Sequence, residues 1–340
     1  MFSNSMPLDP ILYVAGCAIL AFGLCAFVLW ALLKTGLAWR LATDIPNERS
    51  LHTLPVPRTG GWGIVPVVAV LTGVVAPSLW LVALVFAFLA ALSQVDDRRG
   101  LPVWARFGAH VLAVAALVTV YPAPVPWWAL VIIAFLMIWL VNLYNFMDGS
   151  DGLAGGMALF GFGAYAVAAL AAARPDMPLA LTGALTAGAA GGFLLFNFHP
   201  ARIFLGDAGS IPLGFLAGAL GYWGWRDGAW PIWFPALTFA PFIADASVTL
   251  ARRLLRGEKI WQAHREHYYQ RMVRMGCGHA LTARIWYSVM AAGIILAIAA
   301  RGFAPVHQWL AVAVWAAVLG VAGMYVDRRW RRHQSRLVQT

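Results

Sequence analysis

The chain has 340 residues, of which 61% are hydrophobic and 11% are charged, and its mean hydropathy is +0.74. This composition excludes an ordinary soluble domain, because one core of this length cannot bury so many apolar side chains. The net charge of +10 raises nucleic-acid binding as an alternative, but the cations lie in short segments between apolar runs, which favours contact with a membrane surface.

The apolar residues form runs of about the length that crosses a bilayer as a helix, roughly 17 to 25 residues. The pattern predicts an all-α polytopic membrane protein, a single integral-membrane domain over 1–340 with eleven transmembrane helices. The longest stretch between spans, 252–283, is predicted to be a loop, and 327–340 a basic tail. The predicted spans lie near 11–34, 61–77, 79–94, 102–120, 127–143, 154–172, 179–197, 211–225, 230–251, 284–301 and 306–326.

Charge sets the predicted orientation of these spans. The first ten residues contain no Lys or Arg, so they lack the basic region of a cleaved signal peptide and the first span should be retained. The segments that follow odd-numbered spans carry 21 of the 24 Lys and Arg residues, counting those at span edges. The positive-inside rule therefore predicts a periplasmic N-terminus and a cytoplasmic C-terminus. Almost every carboxylate, histidine and asparagine suited to a reaction lies on the same cytoplasmic side.

The first inner segment, 44–61, mixes charges with Pro46, Pro55 and Pro57. It enters the second span through two consecutive glycines. A rigid connector is one interpretation of this composition. The functional alternative is a loop that holds a phosphate or a base beside a reaction site.

Two adjacent carboxylates, Asp96 and Asp97, end the third span. Paired acids at the edge of a membrane are costly unless a positive group shares them. One interpretation is a helix-end cap in which they pair with Arg98, Arg99 or Arg106. The alternative is a site for Mg²⁺ or a general base.

Four amide or carboxylate side chains fall within ten residues at the end of the fifth span: Asn142, Asn145, Asp148 and Asp151. The first three recur at every third position, which puts them on one face of a helix. Helix capping is a weak explanation for so many polar groups at membrane depth. Hard oxygen ligands on one face instead suit Mg²⁺ and a diphosphate, and Gly149 would let the backbone approach a ligand closely.

Further polar groups follow the seventh and ninth spans. Asp207 lies between glycines just before a span, so it presents a carboxylate beside helix N-terminal N–H groups, or else acts as an ordinary N-cap. The later segment 264–271, His-Arg-Glu-His-Tyr-Tyr-Gln-Arg, suits a diphosphate clamp. A surface face and a transition-metal site are its alternatives. Asp245, inside the ninth span, is a functional candidate or the partner of an arginine or a span-end amide.

These motifs, taken in order, resemble the polyprenyl-phosphate N-acetylhexosamine-1-phosphate transferase family, glycosyltransferase family 4. The resemblance covers about 44–275. It implies a bacterial inner-membrane enzyme that transfers a HexNAc-1-phosphate from a UDP-N-acetyl-sugar to undecaprenyl or another polyprenyl phosphate. The motifs are DxPNxRxxHxxPxPRxGG, VDDRRGLP, NxxNxxDGxDGLAGG, FNFHPARIFLGDAGSxxLG and HRxHxYQR.

The resemblance also implies roles for individual residues. Asp96 and Asp97 match paired aspartates that deprotonate or orient the lipid phosphate, and Asp148 belongs to the same acidic cluster as the matched metal ligands Asn145 and Asp207. The implied cofactor is Mg²⁺, with Mn²⁺ as a substitute. The implied partners are the UDP-sugar, the polyprenyl phosphate and membrane lipids, with no nucleic acid and with a homodimer as an option. The residues matched to substrate binding are Asn142, Gly149, Asp151, Asn197, Phe204, His264, Arg265 and His267.

The last motif separates branches of this family. The branch that makes peptidoglycan precursors typically has consecutive histidines there, whereas this chain has His264-Arg265-Glu266-His267. The departure favours enzymes that initiate O-antigen or other envelope polysaccharides over a muramyl-pentapeptide transferase. The donor is left open among UDP-GlcNAc, UDP-FucNAc and UDP-QuiNAc. A transporter is the alternative from another class, but it would place its polar residues along a path through the membrane.

Overall fold

A computed structural model of the chain describes residues 9–46, 50–259, 262 and 264–339. Four parts of the segments predicted above lie outside the described residues: the N-terminal 1–8, residues 47–49 of the first inner segment, 260–261 with 263 of the loop before the histidine motif, and residue 340 of the basic tail. The described chain is mostly helical, which agrees with the predicted all-α class.

The helices run in antiparallel order, and each predicted span falls on one or more of them. They are α1 (Pro10–Lys34), α2 (Leu37–Leu41), α3 (Gly61–Val75), α4 (Trp80–Arg99), α5 (Val103–Val120), α6 (Trp127–Phe146), α7 (Leu153–Leu170), α8 (Met177–Asn197), α9 (Asp207–Arg226), α10 (Trp233–Thr238), α11 (Ala240–Leu255), α12 (Tyr268–Met272), α13 (Gly278–Ala300) and α14 (Pro305–Gln339). A short 3₁₀ helix, Pro77–Leu79, precedes α4, and a π-helical turn, Val273–Cys277, joins α12 to α13.

Local sequence explains where several helices start and stop. Asp9 caps α1 by accepting a hydrogen bond from the Ile11 N–H at 2.8 Å, and Asp176 caps α8 in the same way through the Leu179 N–H at 2.9 Å. Gly100 ends α4 with φ of 67°, a conformation that glycine adopts without strain. Polar caps and glycines thus mark the turns between long apolar helices.

Two short strands, β1 (Thr43–Asp44) and β2 (Val56–Pro57), form an antiparallel pair in the first inner segment. Thr43 pairs with Pro57 and Asp44 with Val56. The sequence predicted no strand here. The pairing folds the segment back on itself, so that its end returns to the start of α3.

The span predicted over 230–251 is not one helix. It divides into α10 and α11 at Phe239. Pro241 lies in the first turn of α11, where its missing N–H costs nothing, and its ring disfavours continuing the previous helix through the residue before it.

Two other predicted boundaries also change. The stretch 252–283, predicted as a loop, contains the end of α11, all of α12, the π-helical turn and the start of α13. The basic tail from 327 onward continues α14 as helix to Gln339. Among the described residues, eight helical segments are long and apolar enough to cross a membrane, and α3 is a shorter apolar helix. The chain is therefore a polytopic helical membrane protein.

The bundle packs most tightly around α7, α8 and α9. In the most apolar stretch of α8, 78% of residues are buried, against 17% in α1 and 11% in α14. Small residues allow this packing: a Cβ on Gly183 would lie 2.9 Å from the Phe162 carbonyl oxygen of α7. On the outer helices, side chains such as Ile19 and Phe135 are mostly exposed, as lipid-facing residues are. We call the end of the bundle where α4, α6, α8 and α11 finish the basic end.

Candidate active site

A polar cavity of about 440 Å³ opens at the basic end of the bundle. Its walls come from the β1–β2 segment, the start of α5, the turn after α6, the turn before α9, and the starts of α12 and α13. Seven of the predicted site residues line it: Asn145, Asp148, Gly149, Asp151, Asn197, Phe204 and Asp207. The structure thus brings together residues that are up to 62 positions apart in the sequence.

Backbone hydrogen bonds join two walls of the polar cavity, the β1–β2 segment and the turn before α9. The Phe204 N–H donates to the Pro57 carbonyl at 2.8 Å, and the Gly60 N–H donates to the Phe204 carbonyl at 2.8 Å. Gly206 has φ of 72°, and a Cβ there would lie 2.9 Å from the Arg58 carbonyl oxygen. Glycine is therefore needed at this position for both conformation and space. The pairing sets Arg58 beside the start of α9.

Two of the carboxyl groups that line the polar cavity, Asp148 and Asp207, are largely buried by surrounding protein atoms. Burial raises the pKa of Asp148 well above its usual range, and the charge of Asp207 raises it further. The pKa of Asp207 is also raised, chiefly by burial, although Arg58 opposes the shift. Neighbouring buried carboxylates repel each other, so this pair favours either a bound proton or a cation.

The amide of Asn145 completes this oxygen-rich corner. It lies in the last turn of α6, and its Oδ1 accepts a hydrogen bond from the Ser210 hydroxyl of α9 at 2.7 Å. Among the described residues, no group of three His, Cys, Asp or Glu side chains has a metal-holding arrangement. The donors available are two carboxylates and one amide oxygen. An all-oxygen set of this kind fits Mg²⁺ better than zinc.

The paired aspartates at the end of α4 are each held by an arginine from another segment. Asp96 Oδ2 bonds to Arg106 at 3.0 Å, and its Oδ1 accepts from the Leu101 N–H at 2.6 Å. Asp97 Oδ1 bonds to Arg58 at 3.0 Å, while its Oδ2 is buried with no hydrogen-bond partner among the described atoms. Asp96 thus takes the predicted helix-end cap, with Arg106. Asp97 keeps one buried oxygen without a partner, and neither aspartate is among the described residues that line the polar cavity.

Arg58 and Arg106 line the polar cavity themselves. Arg58 belongs to the first inner segment, and Arg106 was predicted as a partner for the paired aspartates; neither was assigned to the site from the sequence. Each guanidinium is about one-third exposed while the aspartate it bonds is nearly buried. The arrangement presents two cations to the cavity, which suits an anionic phosphate.

A second group of residues forms the opposite wall. The Asn197 amide oxygen accepts from the Gly152 N–H at 2.9 Å, and its nitrogen donates to the Ile203 carbonyl at 2.9 Å. Asp151 Oδ2 bonds to His199 Nδ1 at 2.6 Å and accepts from the Ala201 N–H at 3.1 Å. The buried Asn197 and Asp151 therefore fix the shape of this wall.

His279 is a lining residue that the sequence reasoning missed. Its Nδ1 lies 2.9 Å from the Ser150 hydroxyl and 3.4 Å from the Asp151 nitrogen, while its Nε2 lies 3.3 Å from the Leu51 carbonyl oxygen. Because the carbonyl only accepts, Nε2 carries a proton in this contact. A single histidine at the start of a helix belongs to no motif, so its role in joining two loops could not be predicted from the sequence.

Four predicted substrate-binding residues do not line the cavity. The Asn142 amide donates to the Ile138 carbonyl within α6 at 2.8 Å, and α6 ends before Asp148, so the predicted helical face does not continue. His264, Arg265 and His267 lie in the segment before α12. Burial and nearby positive groups lower the pKa of His264 to about 4, so it is neutral near pH 7.

Asp245 accounts for the position of His267. Its Oδ1 accepts from the Tyr268 N–H at 2.9 Å and lies 3.1 Å from His267 Nδ1, and its Oδ2 accepts from the Tyr269 N–H at 3.1 Å. Asp245 thus caps α12 from a neighbouring helix, a structural role that differs from both pairings expected for it. Gln270 of α12 then lines the polar cavity.

Comparison with known proteins connects this site with one family. Residues 79–224 match glycosyl transferase family 4. The chain is 27% identical over 294 residues, 80% of each chain, to a probable undecaprenyl-phosphate N-acetylglucosaminyl 1-phosphate transferase of Bacillus subtilis. It is 28% identical to a decaprenyl-phosphate N-acetylglucosaminephosphotransferase of Mycobacterium leprae, over 76% of this chain and 79% of that one.

Similarity to the peptidoglycan branch is more local. A phospho-N-acetylmuramoyl-pentapeptide-transferase of Oceanobacillus iheyensis is 43% identical, but over only 88 residues, which is 26% of this chain and 27% of that one. The matched family region includes α4 to α9, which supply most of the polar cavity. Together with the ordered motifs and the polytopic helical fold, these alignments support the resemblance of the chain to the polyprenyl-phosphate N-acetylhexosamine-1-phosphate transferase family.

Proposed function

We propose that this protein transfers an N-acetylhexosamine-1-phosphate from a UDP-linked sugar to undecaprenyl phosphate. An oxygen of the acceptor phosphate attacks the sugar-side phosphorus of the diphosphate. The bond from that phosphorus to the bridging oxygen breaks, and UMP leaves with that oxygen. The product is a lipid-linked diphosphate sugar. Direct attack needs no covalent enzyme intermediate, although an aspartate nucleophile is the alternative.

The observation that carries this proposal is the corner of the polar cavity where Asp148 and Asp207 meet Arg58. Both substrates are anionic, so they approach each other only if their charges are neutralised. Two cationic side chains and a pair of carboxyl groups suited to a divalent cation lie within one cavity. This combination supports phosphoryl transfer, in which positioning and charge neutralisation do most of the work.

Each residue of this corner has a distinct task. Arg58 and Arg106 bind phosphate oxygens and balance the charge that develops on the leaving UMP. Asp97 takes up or orients a proton of the acceptor phosphate, because its Oδ2 is unbonded whereas both oxygens of Asp96 are in use. Asn145, Asp148 and Asp207 hold Mg²⁺, or Mn²⁺ in its place, which supplies further neutralisation of the diphosphate.

The opposite wall is proposed to bind the uridine. Gly149, Asp151, Asn197 and Phe204 line the cavity there. The ring of Phe204 lies 4.8 Å from that of His52 in an edge-to-face arrangement. An aromatic edge with fixed amide and carboxylate groups is a common way to hold a nucleobase. His264 and Arg265 would reach the sugar or diphosphate only after the segment before α12 moves.

Topology and location follow from the same proposal. The protein is proposed to cross the bacterial inner membrane eleven times as a single domain, with a periplasmic N-terminus and a cytoplasmic C-terminus. The distribution of Lys and Arg supports this orientation, since 21 of 24 fall on the side of the polar cavity. The site then meets soluble UDP-sugar in the cytoplasm and the acceptor in the inner leaflet. A homodimer is compatible with this arrangement.

The pathway is proposed to be the initiation of O-antigen or a related envelope polysaccharide. The relatives that align over most of their length carry N-acetylglucosamine in their names, while the muramoyl-pentapeptide match above is short. The His-Arg-Glu-His sequence at 264–267 supports the same choice. UDP-GlcNAc is therefore the first donor to test, with UDP-FucNAc and UDP-QuiNAc next.

The decisive experiment measures UMP release by purified protein in detergent with undecaprenyl phosphate and Mg²⁺. The donors are UDP-GlcNAc, UDP-FucNAc, UDP-QuiNAc and UDP-MurNAc-pentapeptide. Release that needs both substrates and disappears in Asp207→Asn would support the reaction and identify the donor. If protein that still binds UDP-sugar released no UMP with any of the four donors, the proposal would be refuted. Uptake of a solute without UMP release would refute it as well.

A further inference from the structure

A second cavity, of about 830 Å³, lies between α11, α13 and α14 and is lined almost entirely by apolar side chains. Val248 of α11, Trp286 and Val289 of α13, and Trp315 and Leu319 of α14 form its walls. We call this cavity the apolar groove. It runs along the membrane-spanning parts of these helices, so its natural contents are apolar chains rather than water.

The groove exists because α14 presents small residues towards it. Ala316, Gly320 and Gly323 line it. A Cβ added to Gly320 would find no atom within 4 Å, so the space beside this helix is open. Protein interiors seldom leave such a gap unfilled. The absence of packing here points to a component from outside the chain.

The end of the groove near the basic end is polar, and we call it the positive end after its two arginines; the carboxylate of Asp245, which caps α12, also lines the groove. Arg252, Arg329, Tyr268 and Tyr325 line it. Arg252 is paired with Asp327 at 2.8 Å. Arg329 donates to the Tyr325 hydroxyl at 3.2 Å and forms no ion pair with any carboxylate that the structure describes.

This positive end is separate from the candidate active site. Tyr268 lines the groove, Gln270 lines the polar cavity, and the buried Tyr269 between them donates to the Phe146 carbonyl at 3.1 Å. The α12 segment therefore forms a wall between the two cavities. Arg252 and Arg329 line the groove and do not line the polar cavity, so a phosphate that they hold lies outside the candidate active site, which favours an occupant other than the polyprenyl acceptor.

We propose that the apolar groove binds an anionic glycerophospholipid. Its acyl chains lie along α13 and α14, and Arg252 and Arg329 hold its phosphate beside the hydroxyls of Tyr268 and Tyr325. Basic pockets between transmembrane helices on the cytoplasmic side are suited to anionic headgroups. Because Tyr268 begins α12, the bound lipid also braces the wall of the candidate active site.

The test measures lipid binding by full-length protein that has been delipidated in a neutral detergent, using native mass spectrometry and thermal unfolding. Phosphatidylglycerol should bind and raise the unfolding midpoint, whereas phosphatidylcholine should bind more weakly. Arg329→Gln should weaken phosphatidylglycerol binding about fivefold, the effect of one arginine near an anionic lipid surface. Arg331→Gln, the same change on the same helix but away from the groove, should leave binding unchanged.

A second pair of variants tests the acyl chains. Gly320→Phe should fill the groove and prevent binding of phosphatidylglycerol, whereas Gly73→Phe, in α3 and also facing open space, should not. Equal binding of both lipids with no effect of Arg329→Gln would overturn the proposal. So would displacement of phosphatidylglycerol by undecaprenyl phosphate, or a dimer that Gly320→Phe disrupts without changing lipid binding. All these measurements are independent of the transferase reaction.

Discussion

The two cavities of this protein show how differently one helical chain can use its membrane-embedded parts. Around the polar cavity, α7, α8 and α9 pack closely through small residues, and this packing holds mutually repelling carboxyl groups in fixed positions. Around the apolar groove, α11, α13 and α14 stay apart. The first region is rigid enough to position charge, and the second leaves space that the membrane can fill.

The largest expected effect comes from the carboxyl pair in the rigid region. Asp148→Asn should lower UMP release by about a thousandfold, as when a principal electrostatic group is removed. It should also stabilise the protein in the absence of divalent ions, because it removes a buried repulsion. Asp227→Asn, on the opposite end of the bundle, is the matched control and should leave activity unchanged. Full activity in Asp148→Asn would contradict the site assignment.

The same pair predicts an unusual pH dependence. The folded pKa values of Asp148 and Asp207 are raised, so between the usual carboxyl pKa of about 3.9 and those values the folded state binds more protons than the unfolded state. Stability without divalent ions should therefore fall as pH rises through this window. Mg²⁺ should reverse the slope, since it binds the ionised form. Thermal unfolding across pH, with EDTA and with Mg²⁺, measures both effects.

The next effect concerns Asp245, whose side chain supports the wall between the two regions. Asp245→Ala leaves the N–H groups of Tyr268 and Tyr269 without acceptors, and each buried unpaired group costs about 1–3 kcal/mol. We expect a lower unfolding midpoint, and loss of both UMP release and phosphatidylglycerol binding. Asp9→Ala, which removes a cap from the exposed end of α1, should change only stability. If Asp245→Ala affected one cavity alone, α12 would not be their common wall.

The sequence predicted much of the rigid region because its information is local. Glycines and oxygen-bearing side chains at the ends of apolar runs marked Asn145, Asp148 and Asp207 before any contact was known. Long-range partners were harder to predict. Arg58 meets Asp97 only because a short β-pair and the 204–205 backbone bring them together, and His279 joins the loops around Leu51 and Ser150, which are about 100 residues apart in the sequence. Neither contact has a spacing that a sequence motif could reveal.

The sequence was less informative about the groove region. Hydropathy over 230–251 predicted one span, yet the helix breaks at Phe239, just before Pro241, and residues of both α10 and α11 line the groove. The motif 264–267 suggested ligand contacts from composition alone, whereas Asp245 holds His267 in a structural role. A residue type indicates what a side chain can do. Only its neighbours decide which of those uses it takes.

A smaller effect is expected at His279, which joins two loops of the wall proposed to bind the uridine and does not belong to the carboxyl cluster. His279→Ala should raise the KM for UDP-sugar about tenfold and leave kcat nearly unchanged, because the Ser150 and Leu51 loops lose their tie while the charged groups remain. His279→Gln keeps a donor and an acceptor and should restore much of the affinity. His307→Ala, in the first turn of α14, is the control. An equal loss of kcat would mean that His279 also acts in the chemical step.

The smallest expected effect is at His264, in the segment that joins the two regions. Its folded pKa is about 4 and its unfolded pKa about 6.5, so in this window the unfolded state binds the extra proton. Stability should therefore fall modestly as pH decreases from 6.5 to 4, and His264→Gln should remove that part of the slope. Because neutral His264 cannot offset phosphate charge, the same variant should leave the salt dependence of UDP-sugar binding unchanged near pH 7. A steeper salt dependence in the wild type would instead mean that ligand binding moves His264 into the polar cavity and protonates it.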